Sequence, residues 1–266
     1  MKGKTVALRP REARKRSARR PAAPPRPRLD WAYFIDLDGT LLEIAEVPSA
    51  VNIDASLTDL IARLHGACGG AVALISGRAL SDLDGLLRLP GVPMAGQHGL
   101  ERRDGAGRLW IHAASPAVKY EAKAILAPAL ARHAGLLLED KGLTLALHYR
   151  RAPHLAAYAR RTLERLAIGC AEHVMVQTGK CVVELKPAGV DKGTAIVDYM
   201  AEPPYRGRRP VFVGDDSTDE RGFVAINDLG GISIKVGSGD SCARYRLADV
   251  ETVRAWLEQA VQEDRR

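Results

Sequence analysis

The stretch FIDLDGTLL, residues 34–42, decides how the rest of the chain reads. It closes a short apolar run, WAYFI, and then sets two acids, Asp36 and Asp38, one residue apart. The interior of a buried strand has no use for carboxylates, but its end does, because ligands of open α/β sheets bind outside the carboxyl ends of the strands. Residues i and i+2 of an extended chain point the same way, so both acids can reach one ligand.

Working outward, the pattern alternates strand and helix. DASLTDLIARLH (54–65) has helical spacing through Leu57, Leu60, Ile61 and Leu64, with Asp54 as its N-cap. AVALI (71–75) is a continuous apolar run, as a parallel strand covered on both faces requires. A helix is expected at about 79–87. PVFVGDD (210–216) repeats the strand-then-acids pattern, GISIKVG (231–237) reads as a strand, and VETVRAWLEQAV (250–261) as a closing helix. The order predicts a doubly wound α/β sheet.

The middle of the chain differs. GRLWIHA (107–113) and GLTLALHYR (142–150) alternate like strands with one solvated face, 116–133 and 153–168 read as helices, and 173–187 as two strands about a turn at Thr178–Gly179. This predicts an inserted α+β cap at 104–187, splitting the core into 29–103 and 188–266. Gly105, Gly107 and the Pro187–Gly189 stretch are the expected hinges.

The net charge of +7 over 266 residues misleads as a global figure. Residues 1–28 hold eleven Lys/Arg against Glu12 alone, leaving 28 Lys/Arg and 31 Asp/Glu for a mildly acidic body. Five prolines and few large apolar groups predict that this leader is disordered. It has no aromatic residue on which bases would stack, which argues against a nucleic-acid-binding arm. No apolar run approaches the length of a membrane span, and the basic start lacks the apolar segment of a secretory signal. The four cysteines form no CxxC pair, which excludes the usual zinc-thiolate spacing and suits a reducing, cytoplasmic compartment. The chain is taken as a monomer.

Three apolar strands thus end in polar residues: Asp36 with Asp38, Ser76 with Gly77 and Arg78, and Asp215 with Asp216. One acid pair alone would suit a helix cap or a turn. If the three strands are neighbours, their carboxylates converge and repel unless a cation joins them. Oxygen ligands without His or Cys suit Mg²⁺, which also leaves positions for phosphate. Ser76 and the backbone N–H groups of 38–40 can meet an anion. Lys192 in GVDKGTAI opens a helical stretch and would suit phosphate there, although taken alone it reads as a surface lysine.

DLDGT, the Ser-Gly-Arg tip, the later Lys-Gly and GDDSTDE together resemble the haloacid dehalogenase-like phosphatase superfamily. The resemblance implies a Rossmann-like core with a cap. It also implies that Asp36 is a nucleophile forming an aspartyl phosphate and Asp38 the general acid and base. Ser76 and Lys192 would bind the phosphoryl group, with the loop Asp36, Leu37, Asp38, Gly39 and Thr40 around it. Mg²⁺ would be held by Asp36, the carbonyl of Asp38 and Asp215, with Asp216 and Asp219 farther out or acting through water.

Within that superfamily, ISGR, AGQHGLERR (95–103), LHYR (147–150), KCVVELKPAGVDKGTAI (180–196) and VGDDSTDERGF (213–223) resemble the trehalose-6-phosphate phosphatase branch. The match runs from about residue 31 to the end. It implies that trehalose 6-phosphate is the substrate and that Lys180 and Glu184 of the cap face the distal glucose. His98, Glu101, His148 and Arg150 are further sugar-binding candidates. Strand alternation puts Lys180, Val182, Glu184 and Lys186 on one face. Sucrose-phosphate and mannosylglycerate-type phosphatases of the same fold are the alternatives.

Overall fold

A computed structural model describes residues 22–44, 53–112, 116–169 and 174–263. The first half of the core contributes β1 (Trp31–Ile35), α1 (Ala55–Ala67), β2 (Val72–Ile75), α2 (Leu80–Leu87), β3 (Met94–Gly96), β4 (Glu101–Arg103) and β5 (Leu109–Ile111). Between the halves lie α3 (Pro116–Arg132), β6 (Leu137–Asp140), β7 (Leu145–His148), α4 (Ala156–Gly169), β8 (Val174–Gly179) and β9 (Val182–Pro187). The second half adds α5 (Lys192–Met200), β10 (Arg209–Gly214), α6 (Glu220–Asp228), β11 (Ile232–Val236), β12 (Tyr245–Leu247) and α7 (Val250–Glu263).

The core sheet runs β12-β11-β10-β1-β2-β3-β4-β5, with β12 through β3 parallel and β4 and β5 antiparallel at one edge. The chain leaves β1 toward β2 on one side and returns as β10 on the other, so β1 and β10 flank the topological switch point, where such sheets bind ligands. Register sets Ile35 beside both Val213 and Leu74, which brings the tips of β1, β10 and β2 level. The strands at the centre of the sheet are enclosed: no residue of β1, β2 or β11 is exposed. Helices cover both faces; α1 is capped by Asp54, whose carboxylate accepts from Leu57 N–H at 2.7 Å.

The cap is a four-stranded antiparallel sheet, β6-β7-β9-β8. Its core is its own, built from Leu126, Leu145, Leu147, Leu163, Val183 and Leu185.

Three expectations change. Alternation in 107–113 correctly marks a half-buried strand, but β5 pairs with β4 and so belongs to the core sheet, not the cap. Trp110 holds it there, lying 4.1 Å under the Arg102 guanidinium. Alternation reports one covered face and says nothing about which sheet covers it.

The basic leader was expected to be disordered to residue 28, but 22–28 pack on the core. Ala22 bridges to Tyr245, Trp256 Nε1 donates to the Pro25 carbonyl at 3.0 Å, and the Tyr33 hydroxyl donates to the Arg28 carbonyl at 2.7 Å. Prolines lack a donor but keep a carbonyl, and the indole uses it. Residues 1–21 of the leader lie outside the described residues, as does Cys170.

Finally, the β8–β9 turn is Lys180–Cys181, since Gly179 and Val182 are still paired. Cys181 sits in the left-handed region at φ 62°. Lys180 therefore leaves the strand before the shared face begins, while Glu184 and Lys186 remain on it.

Candidate active site

Asp36 caps β1 with its backbone in the ladder, its N–H donating to the Val213 carbonyl at 3.0 Å. Its side chain is buried, Oδ1 receiving Lys192 Nζ at 2.7 Å and Oδ2 the Thr40 hydroxyl at 3.3 Å. Lys192 is the first residue of α5, whose N-cap Asp191 and Thr194 form a reciprocal capping box. The residue is only 2 % exposed, and its ammonium also donates to Asp219 Oδ1 at 2.6 Å. The surface-lysine reading is thus excluded. Burial alone would lower the ammonium, but Asp219 and Asp36 outweigh it and hold the lysine protonated. Burial and the charge of Asp219 push the Asp36 carboxyl up, against the pull of Lys192.

The loop after Asp36 is anchored by Leu37, which is fully buried and whose carbonyl takes the N–H groups of Leu41 and Leu42 at 2.9 Å each. Gly39 follows at φ 85°, against Asp215: a Cβ there would lie 2.2 Å from Asp215 Oδ2. Burial, Asp219 and Asp216 push the Asp215 carboxyl up to about 6, and its Oδ1 is buried without a partner. Oxygens of Asp36, Asp215 and Asp219 lie within 4.8 Å of one another. An orphaned carboxylate oxygen among three such groups fits a hard divalent cation. Asp219, expected farther out, belongs to this cluster. The carboxylate of Asp38 does not, because both its oxygens accept from Arg78, at 2.7 Å from Nε and 2.6 Å from Nη2.

A cleft of about 680 Å³ lies between core and cap, and the acids form its floor. Asp36, Asp38, Lys192 and Asp215 line it, as do His98, His148, Arg150, Lys180 and Glu184. Leu37, Gly39, Thr40, Ser76 and Glu101 do not. Ser76 is fully enclosed, its Oγ accepting the Arg78 N–H at 3.1 Å. Glu101 is occupied structurally, accepting from Leu80 N–H at 2.7 Å and Gln97 Nε2 at 3.0 Å.

Glu184 is the most enclosed of the cap candidates. It contacts His98 Nε2 at 3.1 Å and the Thr144 hydroxyl at 2.5 Å, with Lys141 Nζ 3.7 Å away. Burial alone would raise its carboxyl, but His98, Lys141 and Thr144 hold it well below the usual carboxylate range. Burial lowers His98 against the pull of Glu184, and because a carboxylate only accepts, Nε2 is the donor of the pair. His148 contacts Glu139 at 2.7 Å on the same wall.

Sequence reasoning passed over Lys141 and Gln97, which tie the cap down: Lys141 Nζ donates to the Gly77 carbonyl at 3.1 Å, and Leu143 N–H to Gln97 Oε1 at 3.1 Å. Lys141 sits in EDKG, which looks like an ordinary charged turn. It also passed over Lys235, buried in β11, whose Nζ donates to the Asp215 carbonyl.

The trehalose-phosphatase family model matches residues 34–251, a span that holds every acid and base of the cleft. This chain belongs to the trehalose-phosphatase family. As a member it is a phosphatase, a hydrolase of phosphoric monoesters. It is 44 % identical over 228 residues to the trehalose-6-phosphate phosphatase of Escherichia coli K12, covering 86 % of this chain and 85 % of that one. It is 43 % identical to a probable trehalose-phosphate phosphatase of Sinorhizobium fredii, covering 78 % of each. Among solved structures, the C-terminal domain of the C. albicans trehalose-6-phosphate phosphatase shares the fold, with a TM-score of 0.81 at 23 % identity over 92 % of this chain and 99 % of that one. A haloacid dehalogenase-superfamily phosphatase of Bacteroides thetaiotaomicron shares it at a TM-score of 0.59 and 16 % identity, over 87 % and 95 %. The doubly wound core with a cap is thus the family's architecture. Among the described residues, no helix is long and apolar enough to cross a membrane.

Proposed function

We propose that this phosphatase hydrolyses trehalose 6-phosphate to trehalose and phosphate, as the names of its relatives describe for them. The observation that carries the chemistry is Asp36: a carboxylate at a strand tip, gripped from both sides, at the floor of a cleft roofed by a polar cap. In the first step an Asp36 oxygen forms a bond to phosphorus as the bond from phosphorus to the sugar oxygen breaks. Asp38 gives that oxygen its proton. In the second step water attacks phosphorus, Asp38 takes its proton, the acyl phosphate bond breaks, and Asp36 is restored.

Lys192 holds its charge beside the reacting oxygen throughout, where negative charge sits in the transition state. Asp36, Asp215 and Asp219 would hold Mg²⁺. When bound, that ion would draw the phosphoryl oxygens toward the nucleophile and offset their charge. The cap tests the leaving group, since Lys180, His148, Arg150 and Glu184 offer donors and acceptors to sugar hydroxyls. Closing the cleft also keeps bulk water from the acyl phosphate. The division into a core and a cap supports this, as does the cleft between them. We assign the work to the cytoplasm; among the described residues Cys68, Cys181 and Cys242 are free thiols, which suits a reducing compartment.

The test is phosphate release from trehalose 6-phosphate and from glucose 6-phosphate, with Mg²⁺ and with chelator. Trehalose 6-phosphate is expected to be preferred, and turnover to need the ion. Equal rates on both sugars would overturn the substrate, and full activity in chelator the metal.

A further inference from the structure

Arg78 lines the cleft, and the scheme above leaves it without a task. Its guanidinium grips Asp38 with a two-point fork, Nε to Oδ2 at 2.7 Å and Nη2 to Oδ1 at 2.6 Å. The Arg78 side chain is only 14 % exposed, while that of Asp38 is 36 % exposed. The more exposed acid is therefore tied to the better-buried cation. Arg78 is in turn fixed by its own backbone, since its N–H donates to Ser76 Oγ and its carbonyl accepts the Gln97 N–H at 2.8 Å. Both residues line the cleft between the Asp36 floor and the Glu139 wall of the cap. A planar fork sets the plane of a carboxylate as well as its place, which a lysine ammonium does not.

We infer that Arg78 is a positioning residue for the leaving group: it fixes the plane and place of the Asp38 carboxyl, which exchanges one arm of the fork for a proton and gives that proton to the departing sugar oxygen. This rests on the assignment of Asp38 as the acid. The competing role, an anion clamp on the phosphate itself, predicts different kinetics. A clamp helps every phosphate ester, whereas an oriented acid matters only when the leaving oxygen needs a proton. A sugar alkoxide needs one, and p-nitrophenolate departs as a stable anion.

The experiment compares kcat/KM, which covers the chain of events through departure of the leaving group. Arg78→Ala, Arg78→Lys, Asp38→Ala and the double variant Asp38→Ala/Arg78→Ala are each assayed on trehalose 6-phosphate and on p-nitrophenyl phosphate. Asp38→Ala is expected to lose about 100-fold or more on the sugar phosphate and far less on the aryl phosphate. Arg78→Ala is expected to show the same selectivity at up to about 100-fold, the scale of a misplaced catalytic group. Arg78→Lys should recover little, because it keeps the charge without the fork. The double variant should be no slower than Asp38→Ala, since Arg78 acts through Asp38.

Equal losses on both substrates for Arg78→Ala, or losses that add in the double variant, overturn the inference and leave the Asp38 assignment standing. An Asp38→Ala enzyme without selectivity between the substrates overturns that assignment and the inference with it.

Discussion

Gly39 and Asp215 stand so close that a single methyl group on the first would lie 2.2 Å from Oδ2 of the second. One residue belongs to the loop after β1 and the other to the tip of β10, so this contact extends the joint that the β1–β10 ladder makes between the two halves of the split core. Gly39→Ala would meet the carboxylate and also sit at φ 85°, where a side chain costs about 1–2 kcal/mol. The expected result is a folded protein with thermal stability lowered by that order and kcat/KM down by about 100-fold as Asp215 is displaced. A variant as active as the parent would show that the contact does not position Asp215.

Asp215 Oδ1 is buried and unpartnered. Mg²⁺ is therefore expected to raise the unfolding temperature of the parent, by about 5–10 °C at roughly 100 times its Kd. Asp215→Asn should flatten that response. Thermal scans with Mg²⁺ and with chelator measure it without any turnover.

Lys192 bridges two buried carboxylates, at 2.7 Å to Asp36 and 2.6 Å to Asp219. Lys192→Met leaves both without their cation. The expected cost is about 3–5 kcal/mol in denaturant unfolding without metal, and phosphatase activity should fall below detection. Mg²⁺ should restore part of the stability, since it can stand between the same acids, but not the activity.

Glu184 joins cap to core through His98 and takes the Thr144 hydroxyl. Glu184→Leu strands those donors in a buried site and is expected to cost about 1–3 kcal/mol. Under the proposed substrate reading, KM for trehalose 6-phosphate should rise more than that for p-nitrophenyl phosphate, which has no sugar for the cap to test. Equal changes in both would remove Glu184 from sugar recognition.

Lys186 is buried on β9, with Gln177 Oε1 as its acceptor at 3.2 Å. Burial lowers its ammonium to about 8, against the pull of Glu184 and Asp191. The folded state therefore binds this proton less tightly than the unfolded chain does. Its penalty is present in full below about pH 8 and is relieved as pH rises toward the ordinary lysine value. Lys186→Met is expected to be more stable than the parent at pH 7, by on the order of 2 kcal/mol, and the gap should narrow by pH 10. A gap that does not change with pH would mean that Lys186 is not titrating there.

Much of this protein was readable in one dimension because its signals are local. Apolar runs mark parallel strands buried on both faces, as in AVALI and PVFVG, and carboxylates at their ends mark where the sheet stops being a core. Asp36, Asp38, Lys192 and Asp215 could be nominated from those strand ends and motifs. The two-residue spacing of Asp36 and Asp38 let both reach one ligand, and the resemblance implied separate jobs for them.

What those acids touch depends on chain segments far apart in sequence, and only the fold decides it. Lys192, which taken alone reads as a surface lysine, is brought by α5 within 2.7 Å of Asp36, 156 positions away. Asp219 joined the carboxylate cluster because the turn after β10 points it inward, and Asp38 left it because Arg78 takes both its oxygens. The strand β5 changed sheets because alternation gives a covered face but not its cover, and residues 22–28 pack on the core because an indole 231 positions from Pro25 donates to its carbonyl. Charge, polarity and period are properties of the chain. Burial and pairing are properties of neighbours, and in this protein they separate Asp36, held by Lys192, from Asp38, held by Arg78.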